Sequence, residues 1–383
     1  MAGLYIHIPF CRSRCIYCGF YSTTLLHLQD RYVDALCREM DMRPSAEVST
    51  VYLGGGTPSQ LSACNLERLF GHIQKNYPAV QTREGASAPR ETTMECNPDD
   101  LTDEFCAVLR HLPVNRVSMG AQTFSDQRLK FLHRRHNAAQ VDAAVARLRH
   151  VGIGNISIDL MFGFPGETLE DWLFDLDKAI ALRPEHISAY SLMYEEGTEL
   201  ERLLTAGKTE MLGEDLSRQM YEMLLDRLAA AGYEHYEISN FARPGYRSRH
   251  NSSYWNLTPY IGIGAAAHSY DGQNVRSWNV ADVNRYIESI ERGVLASEHE
   301  VLDDVTRYND LITTALRTRE GIRLNTLNSH FRNYLLSSAR RSLEAGLLTL
   351  RSTQTADGEL EYISLTRRGL FVSDDVMSDL IFV

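Results

Sequence analysis

The sequence predicts an α/β fold on a parallel sheet, followed by a small helical C-terminal domain. Strand-like and helix-like segments alternate through the first half of the chain, which is typical of strand–helix–strand units with parallel strands. Six such strands fit a partial (β/α)6 barrel, and a doubly wound open sheet would give the same alternation. From about Asp303 the chain changes to helix-like segments and two short strands, an order typical of a winged-helix-like domain.

The predicted barrel strands are short apolar runs that amphipathic segments separate. These strands are residues 4–8, 48–53, 91–96, 114–119, 153–161 and 186–192. The predicted helices are residues 30–42, 66–76, 101–112, 138–151 and 169–182. Residues 81–89 are polar and contain glycine and proline, so we expect an exposed loop there.

Beyond Gly197 the alternation loosens. We predict a helix over 215–231, a short strand over 234–238 and an irregular, aromatic segment over 243–257. The C-terminal part has predicted helices at 305–317, 324–330, 334–345 and after Arg368, and predicted strands at 347–351 and 362–365. The chain is therefore divided into a barrel core (1–200), a barrel extension (201–300) and a C-terminal domain (301–383).

Composition limits the classes of partner. The 383 residues carry a net charge of −11, which argues against nucleic acid as the main partner. No apolar run approaches the length that spans a bilayer, and the short apolar start does not resemble a signal peptide, so any membrane contact is expected to be peripheral. Seven cysteines are an odd number in a chain of this size, and we expect them to be reduced in a cytoplasmic protein.

The first three cysteines carry the strongest chemical signal. Cys11, Cys15 and Cys18 follow the spacing CxxxCxxC. Three thiolates in one loop can bind three irons of a [4Fe-4S] cube and leave the fourth iron open to another ligand. The alternative is structural zinc, which usually has four ligands, often as two CxxC pairs. The sequence has no second CxxC, and His7, the other candidate ligand, lies in a predicted strand.

Further motifs follow in a fixed order. A GGGTPS run occupies residues 54–59, Glu95 ends the third predicted strand, Gln122 follows the fourth and Asp159 lies in the fifth. With the cysteine motif in front of them, these features resemble the radical S-adenosylmethionine (SAM) superfamily over nearly the whole chain. The resemblance implies a partial (β/α)6 barrel in which the open iron binds the amino and carboxylate groups of SAM. It also implies that one electron from the cluster cleaves SAM to a 5′-deoxyadenosyl radical.

The resemblance implies a set of SAM-binding residues. The glycines allow the backbone to approach a ligand closely, and Glu95 accepts hydrogen bonds from the SAM amine or ribose. Arg134 pairs with the SAM carboxylate as a planar fork, and Arg135 is the rival for that role. The implied residues are Tyr5, Tyr17, Gly55, Gly56, Thr57, Glu95, Gln122, Arg134 and Asp159.

Two branches of the superfamily share the GGGTPS run. In the oxygen-independent coproporphyrinogen III dehydrogenases, the cysteine motif continues as CxxxCxxCxC and a long segment precedes it. Here Phe20 stands where the last cysteine would be, and ten residues precede Cys11. Both departures favour the HemW-type heme chaperones, and residues 250–255 match the HNxxYW motif of that family.

The HNxxYW motif has the residue types that a heme site needs. Heme iron commonly takes an axial histidine, and the macrocycle needs flat apolar contacts. The candidate heme residues are His250, Asn251, Tyr254 and Trp255. His235 and His268 are rival axial ligands, and the alternative for the motif as a whole is a hydrogen-bonding clip in the core.

The resemblance implies a function and partners. The expected function is a heme chaperone that binds a [4Fe-4S] cluster, SAM and heme and delivers heme to respiratory proteins. It leaves open whether radical chemistry is used and whether the chain forms the homodimer of some relatives. A coproporphyrinogen III dehydrogenase and another radical SAM enzyme, such as a C-methyltransferase, are the alternative functions.

Overall fold

A computed structural model describes residues 1–44, 46–77, 91–355 and 358–383. The loop that we predict over 81–89 lies outside the described residues. All statements about the structure below concern the described ranges.

The six predicted strands form, and they stand in chain order in one sheet. Each is parallel to the next. They are β1 (Ala2–Ile8), β2 (Val48–Gly55), β3 (Glu91–Cys96), β4 (Arg116–Gln122), β5 (Asn155–Phe162) and β6 (His186–Ser191). The helices of this part are α1 (Gln29–Met42), α2 (Ala63–Asn76), α3 (Asp103–His111), α4 (Asp126–Phe131), α5 (Ala138–His150) and α6 (Leu169–Ala181). The predicted α/β class with a parallel sheet is confirmed.

Further strands extend the sheet beyond both edges of the parallel set. These strands are β7 (Glu234–Glu237), β8 (Asn240–Ala242), β9 (Tyr260–Ile263), β10 (His268–Tyr270), β11 (Val275–Asn279) and β12 (Ser297–Val301). The accompanying helices are α7 (Glu199–Thr205), α8 (Glu214–Ala230), α9 (Arg249–Trp255) and α10 (Val283–Glu291). The sheet order is β12–β11–β10–β9–β1–β2–β3–β4–β5–β6–β8–β7. Only β9 adds a parallel neighbour, to β1.

The parallel sheet curves around a cavity without closing on itself. Alternate side chains of a strand point to the same face, and the inward ones from β1 to β6 line one cavity. Tyr5, Tyr52, Glu95, Asp159 and Tyr190 are among them. The edge strands β1 and β6 pair with β9 and β8 rather than with each other. The predicted partial (β/α)6 barrel is therefore confirmed, and the doubly wound alternative is not adopted.

The prediction of irregular structure over 243–257 is wrong at its centre, where α9 forms. The Ser248 side chain caps this helix by accepting a hydrogen bond from the backbone N–H of Asn251 at 3.3 Å. Glu91, at the start of β3, accepts from the backbone N–H groups of the first two helical residues, both at 2.9 Å. A carboxylate at this end also favours the helix dipole. A distant acid therefore stabilises a helix that is too short for a clear period in the sequence.

The C-terminal part has its own hydrophobic core, which extends from Tyr308 to Leu380. It comprises α11 (Asp304–Ala315), β13 (Ile322–Arg323), α12 (Ser329–Ser338), α13 (Arg340–Glu344), β14 (Leu348–Thr355), β15 (Gly358–Leu365), α14 (Arg367–Leu370) and α15 (Ser373–Leu380). Helices precede the antiparallel β14–β15 hairpin, in the order expected for a winged-helix-like domain. No helix of the described ranges has the length and hydropathy needed to cross a bilayer.

Two helix predictions in this part are wrong in their bounds. Of the predicted helix over 324–330, residues 324–326 form a single 3₁₀ turn. Helix α12 begins at Ser329, because the Asn328 side chain accepts a hydrogen bond from the Phe331 backbone N–H at 2.9 Å. The single helix predicted over 334–345 is divided between α12 and α13.

A buried carboxylate joins the antiparallel extension to the barrel. Glu39 of α1 is fully buried, and its two oxygens accept five hydrogen bonds. Oε1 accepts from Arg43 Nε at 2.9 Å, from Arg43 Nη2 at 2.5 Å and from Asn279 Nδ2 at 2.8 Å. Oε2 accepts from the Gly264 backbone N–H at 2.8 Å and from the Tyr286 hydroxyl at 2.6 Å. One side chain of α1 therefore holds the turn after β9, the end of β11 and α10 together.

Candidate functional site

A cavity of about 1100 Å³ lies at the carboxyl ends of the parallel strands. Pockets for drug-sized ligands are usually about 300–1,000 Å³, so this one has room for more than one small ligand. Most of the predicted site residues line it. They are Tyr5, Cys11, Cys15, Tyr17, Cys18, Gly55, Gly56, Thr57, Glu95, Gln122, Arg134, Asp159, His250, Asn251 and Tyr254.

The three cysteines lie on one loop at this cavity, each half-buried and not in a disulfide. Cys11 Sγ is hydrogen-bonded to Thr57 Oγ1 at 3.3 Å. Arg134 donates from Nη1 to Cys15 Sγ at 3.6 Å. Burial raises the pKa of Cys18 to about 11, so binding iron as a thiolate would release its proton.

The glycine run at the end of β2 allows its backbone to lie next to the segment that leads into the cysteine loop. Gly55 has a φ of +105°, and a Cβ there would lie 2.3 Å from the His7 imidazole. A Cβ on Gly56 would lie 2.6 Å from the backbone carbonyl carbon of Pro9. His7 is in turn hydrogen-bonded through Nδ1 to the Tyr5 hydroxyl at 3.0 Å. Glycine is therefore required at both positions for a steric reason.

Glu95 is held from two sides at the end of β3. Its Oε1 accepts a hydrogen bond from the Tyr52 hydroxyl at 2.7 Å, and its Oε2 accepts one from the Gly55 backbone N–H at 3.0 Å. Burial, with a contribution from the nearby Asp159 carboxylate, raises the pKa of Glu95 to about 7. The residue therefore changes charge close to neutral pH.

The two rival arginines have different surroundings. Arg134 donates from Nη2 to the Gly120 carbonyl at 2.6 Å and from Nη1 to the cysteine loop, so its guanidinium stands inside the cavity. Arg135 also lines the cavity, but it is ion-paired with Asp99 at 2.8 Å and Asp100 at 3.0 Å. The geometry favours Arg134 for a ligand beside the cysteines.

Gln122 and Asp159 face the cavity from neighbouring strands. The register between β4 and β5 shifts between Gly120 and Gln122, and Gln122 takes a φ of +66°. This irregularity redirects the side chain, as bulges commonly do near functional sites. Asp159 accepts hydrogen bonds from the Ser118 hydroxyl at 3.2 and 3.3 Å, and burial raises its pKa.

His250 lies on α9 at the amino end of the barrel and is buried. Its Nδ1 is hydrogen-bonded to Thr50 Oγ1 at 2.8 Å and its Nε2 to the Tyr254 hydroxyl at 2.9 Å. The ring also stacks on Tyr52 at 5.0 Å, and Tyr52 is the donor to Glu95. Burial lowers the pKa of His250 to about 3, so the ring is neutral. With both ring nitrogens engaged, the geometry favours the hydrogen-bonding clip over direct ligation of heme iron.

Of the other heme candidates, Asn251 and Tyr254 line the cavity, whereas Trp255 and the two rival histidines do not. Trp255 is not among its lining residues, and the Arg317 guanidinium lies 5.3 Å from the Trp255 ring. The rival His268 is exposed on β10 and stacks with Trp278 at 6.0 Å. His235 is hydrogen-bonded to the backbone within its own hairpin. Trp255, His235 and His268 therefore do not share the cavity with the cysteine loop.

Sequence reasoning missed two polar residues of the barrel interior. Tyr52, which orients Glu95, could have been found from the alternation along β2, which puts it on the same face as Gly54. Arg116 is buried at the start of β4, and its Nε and Nη1 atoms have no hydrogen-bond partner in the described part of the chain. A lone charge in a buried strand is the signal that identified Asp159, and it applies equally to Arg116.

Comparisons with known proteins agree with this geometry. A sequence model of the radical SAM superfamily matches residues 5–179. The heme chaperone HemW of Lactococcus lactis (strain IL1403) is 36% identical over 329 residues, which cover 86% of this chain and 84% of that protein. The heme chaperone HemW of Bacillus subtilis (strain 168) is 38% identical, covering 84% of this chain and 85% of the relative. The chain belongs to the HemW family of radical SAM proteins. The coproporphyrinogen III oxidase HemN of Escherichia coli has the same fold as this HemW-family chain, with a TM-score of 0.82 over 99% of this chain and 90% of that one, at 21% identity.

Membership of the radical SAM superfamily implies a [4Fe-4S] cluster and SAM, and the residues present fit both groups. The three thiols share one loop, yet no three His, Cys, Asp or Glu side chains of the described ranges are close enough to share a single metal ion. Three thiolates on one loop can each bind one iron of a [4Fe-4S] cube. A Cβ on Gly120 would lie 2.7 Å from Gln122 Nε2 and 3.0 Å from Arg134 Nη2, so the missing side chain keeps these polar groups accessible. Bound together, the cluster and SAM would supply one-electron chemistry.

Proposed function

We propose that this chain is a heme chaperone that binds a [4Fe-4S] cluster, SAM and heme and passes heme to respiratory proteins. The cluster would be held by Cys11, Cys15 and Cys18. The observation that carries the proposal is a single cavity that contains these thiols and the predicted SAM-binding residues and has room for a further ligand. Relatives named as heme chaperones align with more than four-fifths of the chain.

Within the cavity, the protein groups would divide the contacts to SAM. The Glu95 carboxylate, which accepts hydrogen bonds from Tyr52 and Gly55, would accept a further one from the amino group of SAM. The Arg134 guanidinium, which donates to Cys15 Sγ in the cysteine loop, would pair with the SAM carboxylate. Asp159 would accept from ribose hydroxyls deeper in the barrel. Each of these roles is a proposal for a side chain that lines the cavity.

The test is a hemin titration of the anaerobically reconstituted full chain, followed by Soret absorbance. Stoichiometric binding is expected. The same preparation is then incubated with coproporphyrinogen III, SAM and a reductant, and no decarboxylated product is expected. Absence of heme binding, or turnover of coproporphyrinogen, would overturn the proposed function.

The affinity for SAM is expected to fall about tenfold between pH 8 and pH 6. Burial raises the pKa of Glu95 to about 7, so the carboxylate that would accept a hydrogen bond from the SAM amino group is mostly protonated below that pH. Equilibrium binding of SAM across this range measures the effect, and Glu95→Gln should flatten the profile. Asp159→Asn should retain the fall but move its midpoint to lower pH, because the Asp159 charge contributes to the raised pKa of Glu95. An unchanged slope in Glu95→Gln would contradict the assignment.

The substitution His250→Ala is expected to weaken SAM binding by about tenfold. This is the usual loss of affinity when a residue that orients a ligand-contacting side chain is removed. It removes the bonds to Thr50 and Tyr254 and the stacking partner of Tyr52, which holds Glu95. Heme affinity should stay within about twofold of wild type, because the substitution removes no ligand of the heme iron. The binding of SAM and of hemin is measured for His250→Ala and for the control His235→Ala. The two affinities distinguish a role of His250 in supporting Glu95 from direct ligation of heme iron. Loss of heme binding with SAM affinity intact would identify His250 as the heme ligand instead.

A further inference from the structure

Three large side chains with apolar surface are exposed to the cavity and are called the rim patch: Phe20 and Met193, and Tyr190, which points into the barrel from the end of β6. Their exposed fractions are 71%, 42% and 60%, and all three line the cavity. Single exposed apolar residues are normal on protein surfaces, but apolar residues gathered at one site usually mark a binding surface. Phe174 and Met211 are similarly exposed, at 52% and 61%, and neither lines the cavity.

The rim patch is formed by two segments that are in contact. Phe20 follows the cysteine loop, and Tyr190 and Met193 lie at and after the end of β6. A Cβ on Gly19 would lie 1.9 Å from a carboxylate oxygen of Glu195, so the cysteine loop touches the segment that carries Met193. Apolar side chains of both segments therefore line the cavity that also contains the three thiols.

Two unpaired cations stand at the same opening. Arg12 and Arg14 are exposed, line the cavity and have no ion-pair partner in the part of the chain that the structure describes. Arg135, by contrast, is already paired with two aspartates. The carboxylates of Glu195 and Asp374 also line the cavity, so selectivity for an anion would depend on where the two free arginines stand rather than on net charge.

We propose that heme binds at this opening, with one face on the rim patch and its propionates toward Arg12 and Arg14. The inference rests on the proposed heme-binding function and adds the location of the heme. Heme is a flat apolar ring with two carboxylates, and aromatic and thioether side chains beside free guanidinium groups are the matching protein chemistry. The heme then covers the SAM site in the same cavity, and α9 supports that site from the amino end of the barrel.

The first test compares two double variants of the reconstituted full chain. Phe20→Ser with Met193→Ser is expected to weaken hemin binding by at least about tenfold, as for central apolar contacts of an interface. Phe174→Ser with Met211→Ser, matched in residue type and exposure, should bind hemin like wild type. Iron content and SAM affinity, unchanged in both variants, show that the barrel is intact. Equal hemin binding by both variants would overturn the location and leave the chaperone function standing, whereas no binding by wild type would remove the function itself.

The second test concerns the propionates. Wild type should bind hemin dimethyl ester about tenfold more weakly than hemin, because the ester lacks the charges that charge-assisted hydrogen bonds need. Arg12→Gln with Arg14→Gln should lower hemin affinity to that of the ester and leave ester binding unchanged. Equal loss of both ligands, or no preference for hemin in wild type, would contradict the role of the arginines.

Discussion

Replacing Cys15 with alanine is expected to reduce cluster iron to less than about a tenth of the wild-type content, because three-point thiolate ligation is lost. Cys15 is the central cysteine of the loop, and its Sγ accepts a hydrogen bond from the Arg134 guanidinium at 3.6 Å. Without the open iron, SAM loses the partner for its amino and carboxylate groups, so its affinity should fall as well. Iron analysis and the visible absorbance of the anaerobically reconstituted chain measure the first effect, and equilibrium binding of SAM measures the second.

The matched control is Cys64→Ala. Cys64 is exposed near the start of α2 and does not line the cavity. It should retain the wild-type iron content and SAM affinity. The unfolding midpoint of the metal-free chain should be the same for both variants, since the cysteine loop is partly exposed. Full cluster content in Cys15→Ala would exclude the CxxxCxxC loop as the cluster site.

The second large effect concerns stability. Glu39→Ala is expected to lower the free energy of unfolding by about 3–5 kcal/mol, the usual cost of removing one partner of a buried ionic network. The substitution leaves the Arg43 guanidinium, the Asn279 amide, the Gly264 N–H and the Tyr286 hydroxyl without their common acceptor. Chemical denaturation of the metal-free chain measures the change.

An exposed carboxylate provides the comparison. Glu291 forms a two-oxygen contact with Arg31, and both side chains are largely exposed. Because exposed ion pairs contribute less than about 1 kcal/mol, Glu291→Ala should change stability by no more than that. If Glu39→Ala were equally mild, the network would not be what joins the β9–β12 extension to α1.

The barrel and most of its polar lining could be predicted from the sequence because each signal is local. Alternating apolar strands identify β1 to β6, the cysteine spacing lies within eight residues, and Glu95 and Asp159 are acids in or at the end of apolar strands. These features need no knowledge of distant neighbours. The family resemblance then assigned roles that the strand ends alone would have left open.

The parts that could not be predicted depend on distant contacts. α9 has seven residues, and its first turn is held by Glu91, which precedes it by 158 positions. The burial of both His250 nitrogens follows from the same placement, and no local pattern distinguishes an enclosed histidine from an iron ligand. The strands β9 to β12 are short, and Glu39 specifies their attachment from a separate helix.

The closed amino end of the barrel sets an order of events. α9 lies against the starts of β1, β2 and β3, where a Cβ on Gly3 would come within 3.3 Å of the His250 ring, and Glu91 fixes the helix there. The cysteine loop borders the cavity at the opposite, carboxyl end of the strands. With heme at the rim patch, over the proposed SAM site, SAM would have to arrive first and leave last. A chain loaded with heme would exchange SAM only after transferring the heme, so the onset of SAM exchange would mark heme transfer.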